Sequence, residues 1–203
     1  MIKCNVTVCG VIGRDASIRT NKEGKTFLVF PLRVMIPDTD GKTMPIEVDV
    51  SKDTAGKEVS KYRNGSRIEV SGTMYLKHRG DKLYFNLFIN EIRTATADAK
   101  DTVKGELVFR GKVGQHIEEK RDKKDQPYTM FSAFSTEKVE DGFEYQWVRF
   151  FCFGKEREAW LQPGVRVDAK GEISLSAYNG KLNGSCKVEE LVQYVADSSN
   201  SNQ

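Results

Sequence analysis

The sequence predicts an all-β chain of two small five-stranded Greek-key barrels in tandem, each carrying one short helix. Three observations predict it. Alternating runs rich in Val, Ile, Phe and Tyr fill most of the chain, and helical periodicity is scarce. The order of those runs is the same in both halves. Glycines also recur: at an offset of 101 residues Gly10 and Gly13 fall on Gly111 and Gly114, and at an offset of 99 Gly65 and Gly72 fall on Gly164 and Gly171.

In the first half, strands are expected near 4–14, 26–36, 45–51, 66–77 and 82–93, with a short polar helix near 53–63. The stretch TATADAKDT, 94–102, is polar and suits a linker. The second half repeats the order with strands near 104–115, 127–137, 144–153, 165–175 and 181–194, and a shorter helix near 155–161. The domain division that follows is 1–95, a linker at 96–103, 104–195, and a frayed tail, ADSSNSNQ, at 196–203. Five strands with a helix between the third and fourth is the arrangement of the OB-fold. Two tandem OB-fold barrels are therefore expected, with glycines where small barrels bend their strands sharply.

Composition bounds the function. The 203 residues are 38% hydrophobic and 30% charged, which describes a soluble globular protein. No apolar stretch approaches the roughly 18 residues of a membrane span. The N-terminal MIKCNVTVCG reads as neither a signal nor a transit peptide, so the expected location is the cytoplasm. Cys4, Cys9, Cys152 and Cys186 form no CxxC pair, and His78 and His116 lack metal-ligand spacing. Reduced, buried thiols, no metal and no cofactor are expected. Net charge is +3, distributed as +4 over 1–98 (16 Lys+Arg, 12 Asp+Glu) and −1 over 99–203 (16 and 17). So weak a total cannot by itself argue for nucleic acid; local placement must.

Gly24-Lys25-Thr26 and Gly41-Lys42-Thr43 imitate the end of a phosphate-binding loop, but Arg19 and Ile36 stand where its leading glycine is needed. Both read as hairpin turns. No nucleophile elbow, no histidine beside a serine and no isolated carboxylate pair marks a catalytic site, so no enzyme is expected. The most informative stretch runs from Tyr145 to Lys155. Alternation puts Tyr145, Trp147, Arg149, Phe151 and Phe153 on one face, and Val148, Phe150 and Cys152 on the other. A half-exposed barrel strand needs one apolar face for its core, so one face is surplus to folding. Trp, Arg and several aromatics on that face suit stacking on unpaired bases with contacts to phosphate. The competing reading buries the same strand on both faces, in a protein interface.

WVRFFCFGK, 147–155, resembles the W-x-R-x-x-x-F-G-K segment of bacterial single-stranded DNA-binding proteins. LQPGVRVDAKGEI, 161–173, is similar to that family's fourth strand, with Pro163 where lysine is usual, and YRNGSRIEVSGTM, 62–74, repeats it. VTVCGVIGRDASIR, 6–19, and LVFPLRV, 28–34, resemble its first and second strands. The resemblance implies non-catalytic binding of single-stranded DNA with little sequence specificity, in replication, recombination or repair. It carries Trp147 and Phe153 over as stacking aromatics and Phe131 as core. Alternation then turns Tyr128 and Phe134 to the groove, and in the first half leaves Phe27 and Arg33 outward of a core of Phe30, Leu32 and Val34. The hairpin between the fourth and fifth strands adds Tyr75, Lys77, Arg79, Lys82 and Tyr84. The counterpart hairpin, Tyr178-Asn179-Gly180-Lys181, has the Asn-Gly of a type I′ turn and is short.

Three features depart from the family. The third strand of the first half, IEVDVSK at 46–52, has no aromatic and places Glu47 and Asp49 on one face, where they would repel phosphate. The first barrel is then left to bind through its hairpin or to serve assembly. The C-terminal VADSSNSNQ lacks the acidic tail and apolar tip through which the family recruits replication and repair enzymes, so recruitment is not expected of it. Two barrels per chain imply a homodimer presenting four. The other function class kept open is an OB-fold interaction or assembly module with its aromatic strand buried against another protein. Salt separates the two, because contacts to a single strand weaken with a log–log slope of about −0.7 per neutralised phosphate.

Overall fold

The computed structural model describes residues 2–39, 41–54, 58–79, 82–139, 142–154 and 156–194, with His78 and Arg79 placed as backbone only. Apolar alternation produces strands wherever it was read. The first half forms β1 (Ile2–Ile12), β2 (Ser17–Thr20), β3 (Thr26–Pro37), β4 (Thr43–Asp53), β5 (Arg67–Arg79) and β6 (Lys82–Thr94). The second forms β7 (Thr102–Arg121), β8 (Pro127–Val139), β9 (Gly142–Phe153), β10 (Arg166–Tyr178) and β11 (Lys181–Gln193). Strand β2 is an addition to the sequence reading. It has four residues, all exposed, and so leaves no alternating pattern to detect.

Each half closes into a five-stranded barrel. In the first, β1 pairs with β5, β5 with β6, β6 in parallel with β4, β4 with β3, and β3 back with β1. The second repeats the circuit as β7–β10–β11–β9–β8–β7, again with one parallel pair, β9–β11. This is the OB topology. The registers carry the sequence offsets: Gly10 faces Ile68 as Gly111 faces Val167, and both fourth strands shift register at a bulge, after Ser71 and after Lys170. A Cβ on Gly10 would sit 2.5 Å from the Arg33 carbonyl oxygen, and one on Gly111 2.2 Å from that of Phe134. Glycine there lets the first strand close against the second.

The barrels join edge to edge. β1 and β7 pair antiparallel from Lys3↔Val108 to Cys9↔Thr102. Asn5 lies opposite Glu106, which is its own counterpart at the 101-residue offset, so an approximate two-fold axis passes through that pair. The hairpins obey the same axis. The β10–β11 hairpin of barrel 2 reaches the β3–β4 hairpin of barrel 1, where the Thr39 N–H donates to the Ala177 carbonyl at 3.3 Å. Reciprocally, Lys77 of the β5–β6 hairpin pairs with Glu137 of β8 at 3.8 Å.

Both expected helices are corrected. The first segment holds a single 3-10 turn, Val59–Lys61, with Ala55–Lys57 outside the described residues. An isolated helix of that length cannot offset the cost of its first turn, and tertiary contacts win. The Tyr62 ring stacks on Phe30 at 5.8 Å and its carbonyl accepts from the Ala16 N–H at 2.9 Å. The second segment has no helix among the described residues. Arg157 is drawn to Glu119 of β7 at 3.5 Å and donates to the Leu161 carbonyl at 2.9 Å and to Gln162 Oε1 at 2.6 Å. The segment expected as a linker is pinned at its end: Asp101 accepts from the Met35 N–H at 2.7 Å and pairs with Arg67.

Barrel 2 centres on three rings, with Phe109 and Phe131 packed 4.9 and 5.2 Å from Phe150. Barrel 1 is mostly aliphatic, with Val8, Leu28, Leu32, Val48 and Leu87 fully buried. None of the four cysteines forms a disulfide; Cys4, Cys9 and Cys186 are buried and Cys152 half-buried. Burial pushes the Cys4 and Cys186 thiols up to about 12. No group of His, Cys, Asp and Glu able to hold a metal occurs among the described residues, and no described helix is long and apolar enough to cross a membrane. The tail at 196–203 lies outside the described residues.

Candidate nucleic-acid interface

Strands β8 and β9 each have one face committed to the barrel 2 core, through Phe131, Ala133, Val148 and Phe150. Their other faces turn outward. Register sets Tyr128 opposite Phe153, Met130 opposite Phe151, Ser132 opposite Arg149 and Phe134 opposite Trp147. The rings form a layer. Tyr128 and Phe153 lie 5.2 Å apart, Phe134 and Trp147 4.8 Å, Phe134 and Tyr145 5.4 Å, and Phe151 and Phe153 6.1 Å. Trp147 is 54% exposed, Tyr145 53% and Phe153 47%. Large apolar side chains left open beside a completed core are not explained by folding within this chain.

Gly114 of β7 makes this layer fit. A Cβ there would lie 3.0 Å from the Trp147 ring and 3.0 Å from the Ser132 carbonyl oxygen, so the bare backbone is what lets the indole lie down on the sheet. Cations border the rings. Lys120 of β7 is opposite Tyr128, and Lys187 of β11 is beside Phe151. Arg149 sits within the layer, exposed, and forms no ion pair among the described residues. Its positive field reaches Glu118, whose carboxyl is held below the ordinary carboxylate range first by a hydrogen bond from Lys120 and in lesser part by Arg149. A groove of about 370 Å³ runs over Trp147, Arg149 and Phe151, walled by Ser176 and by Leu182 to Ser185 of the β10–β11 hairpin.

The corresponding face of barrel 1 has the opposite chemistry. The pair Phe134–Trp147 is matched there by Arg33–Glu47, Ser132–Arg149 by Pro31–Asp49, and Tyr128–Phe153 by Phe27–Asp53. Phe27 and Arg33 do face outward, but each is set against a carboxylate. Lys25 pairs with Asp53 at 2.7 Å and lies 5.3 Å over the Phe27 ring, and Arg14 reaches Glu47 at 3.8 Å. A hollow of about 1120 Å³ opens beside this barrel and takes in Phe27 and Phe88.

The β5–β6 hairpin forms a third group. Tyr75, Lys77, Lys82 and Tyr84 share its outward face, as the pairs Lys77↔Tyr84 and Tyr75↔Asn86 require. Arg79 pairs with Lys82, and its side chain lies outside the described residues. Lys77 is engaged by Glu137 of the other barrel.

Of the thirteen residues expected from sequence, six thus converge on one surface: Tyr128, Phe134, Trp147, Arg149, Phe151 and Phe153. Sequence reasoning missed three that bear on it or on the hairpin. Phe88, 52% exposed, packs edge-on against Tyr75 at 6.0 Å and was marked by the alternation Tyr84, Asn86, Phe88. Gly114 was visible only as a bending glycine. Lys187 needs the parallel β9–β11 pairing, which no local pattern signals.

No family model matches the chain, and no curated protein matches it. Among solved structures, the single-stranded DNA-binding protein of Thermus aquaticus is similar at 11% identity and a TM-score of 0.46, covering 100% of this chain and 97% of that one. A small single-stranded DNA-binding protein from Streptomyces coelicolor covers 45% of this chain and 95% of its own, at 11% identity and a TM-score of 0.36. The N-terminal domain of PriB from Thermoanaerobacter tencongensis covers 45% and 97%, at 18% identity and a TM-score of 0.30. Likenesses at this level leave the barrel topology to stand on the strand pairing itself.

Proposed function

We propose that this chain binds single-stranded DNA with little sequence preference and without catalysis, using the outward face of β8 and β9. One observation carries the reading: a strand pair whose inner face completes the core exposes a connected layer of rings with an arginine inside it. Rings accept any base at about 1–3 kcal/mol each, and guanidinium and ammonium groups hold the backbone. A duplex, with its bases already stacked inward, offers this layer nothing to stack on. The resemblance of WVRFFCFGK to single-stranded DNA-binding proteins supports the same reading, and replication, recombination or repair is the setting proposed with it.

The division into domains 1–95 and 104–195 belongs to this proposal, with barrel 2 as the binding unit. So does a homodimer presenting four barrels, to be tested by sedimentation. The binding test uses fluorescence anisotropy of labelled oligo-dT and of a duplex of equal length, each at two salt concentrations. Tight, salt-sensitive binding of the single strand and weak binding of the duplex are expected. Absence of binding to oligo-dT at low salt would return the aromatic layer to a protein interface.

A further inference from the structure

The aromatic groove does not end at the edge of barrel 2. Leu182, on the β10–β11 hairpin, lines it and also lines a second groove of about 860 Å³ on the hairpin's far side. That second groove lies between the barrels. One side is Lys82 to Phe85 of the β5–β6 hairpin, the tip is Gly180 and Lys181 of barrel 2, and the remaining side is β4 with Glu47 and Asp49. Docking of the β10–β11 hairpin onto the β3–β4 hairpin, through the Thr39 N–H and the Ala177 carbonyl, holds these walls together. The groove therefore exists only because the two barrels are paired.

We propose that a strand too long for the aromatic groove crosses Leu182 and continues into this second groove, with Lys82 and Lys181 on its phosphates and Tyr84 against a base. This rests on the reading of the aromatic face given above. The distribution of charge orients the occupant. Phosphates are drawn to the lysines at the hairpins and kept from Glu47 and Asp49, so the uncharged bases face β4. Tyr84, 39% exposed, gives one base a surface. Barrel 1 then contributes through its hairpin and meets the strand at Glu47 and Asp49 with bases instead of phosphates, and one chain holds one continuous path.

Oligonucleotide length tests it. One OB barrel covers about 4–16 nucleotides, so labelled oligo-dT of about 6 and about 20 nucleotides sample one groove and both. In the full chain, Lys82→Glu with Lys181→Glu is expected to leave affinity for the short oligonucleotide within roughly twofold, while the long one binds about tenfold more weakly. The salt slope for the long one should become shallower by about 1.4, two phosphates at about 0.7 each. The uncharged pair, Lys82→Gln with Lys181→Gln, should give the same slope change without new negative charge. Unaltered affinity and slope for the long oligonucleotide in both variants would overturn the second groove, as would an equal loss for both lengths. Failure of the wild-type chain to bind the short oligonucleotide would instead overturn the aromatic groove, so the two failures are distinct.

Discussion

Replacing Trp147 by Ala separates a ring kept for a ligand from a ring kept for the core. The indole is 54% exposed, so just under half of it is hidden against Gly114 and Phe134. For a side chain of this size that is about 100 Å². At about 25 cal/mol per Å² the truncation costs at most about 2.5 kcal/mol of stability. A domain with the usual 5–15 kcal/mol survives that loss. For a chain of this length the melting temperature should fall by no more than about 10 °C, with the transition still cooperative. Binding should suffer differently. Loss of one stacking ring removes about 1–3 kcal/mol, or roughly 5- to 150-fold in affinity for a single strand. The assay is anisotropy with labelled oligo-dT, beside thermal unfolding of the same preparation. Unaltered affinity in a folded variant would refute the stacking role, and collapse of the fold would place Trp147 in the core, against its 54% exposure.

Other perturbations follow from the same geometry. Gly114→Ala puts a methyl 3.0 Å from both the Trp147 ring and the Ser132 carbonyl oxygen, and should tilt the ring, weakening oligo-dT binding several-fold with a shift in tryptophan emission and a modest drop in melting temperature. Arg149→Gln should flatten the salt dependence of single-strand binding by about 0.7 in log–log slope, the share of one phosphate. Glu47→Gln with Asp49→Asn should tighten binding of a long oligonucleotide and leave a short one unchanged, because both carboxylates line the second groove and neither lines the aromatic one. The Cys4 and Cys186 thiols stay protonated to about 12 in the folded chain, whereas unfolded they ionise near 8.5 (about the free value). Above that pH the unfolded chain binds fewer protons, so stability should fall as pH rises toward 12. Urea midpoints at about pH 8 and about pH 10 measure this, and Cys4→Ala with Cys186→Ala should reduce the dependence.

The barrels were legible because each strand has one buried face, and a period of two cannot be produced by anything else at that length. Val48, Val50 and Phe85, Leu87 announce their inward direction as plainly as Val148 and Phe150 do. The glycine offsets survived into the strand registers because barrel closure tolerates no Cβ at Gly10 or Gly111. Helices were misread for the converse reason. At 53–63 and 155–161 polar residues satisfy a helical pattern locally, while Tyr62 stacks on Phe30 and Arg157 pairs with Glu119 of β7. The pairing of β1 with β7 was beyond reach, since an edge that joins another edge has the same alternation as one that faces water. The site divides along the same line. Trp147, Arg149 and Phe153 share one strand, so alternation sufficed. Phe27 and Arg33 look equivalent to Tyr128 and Phe134 until register sets them against Asp53 and Glu47. Lys77, basic and on a hairpin, gives no hint in sequence that Glu137 of the other barrel holds it.

Unpaired bases stacked on the Trp147 ring would alter its emission, which reports the contact at the ring itself. Trp160, the only other tryptophan, packs partly buried against the core and is replaced by Phe so that Trp147 alone is seen. Stacking predicts strong quenching by oligo-dT that saturates with binding, reverses at high salt, and is weak with duplex of equal length. Binding of oligo-dT with the emission of Trp147 unchanged would contradict it, because the strand would then lie away from the ring.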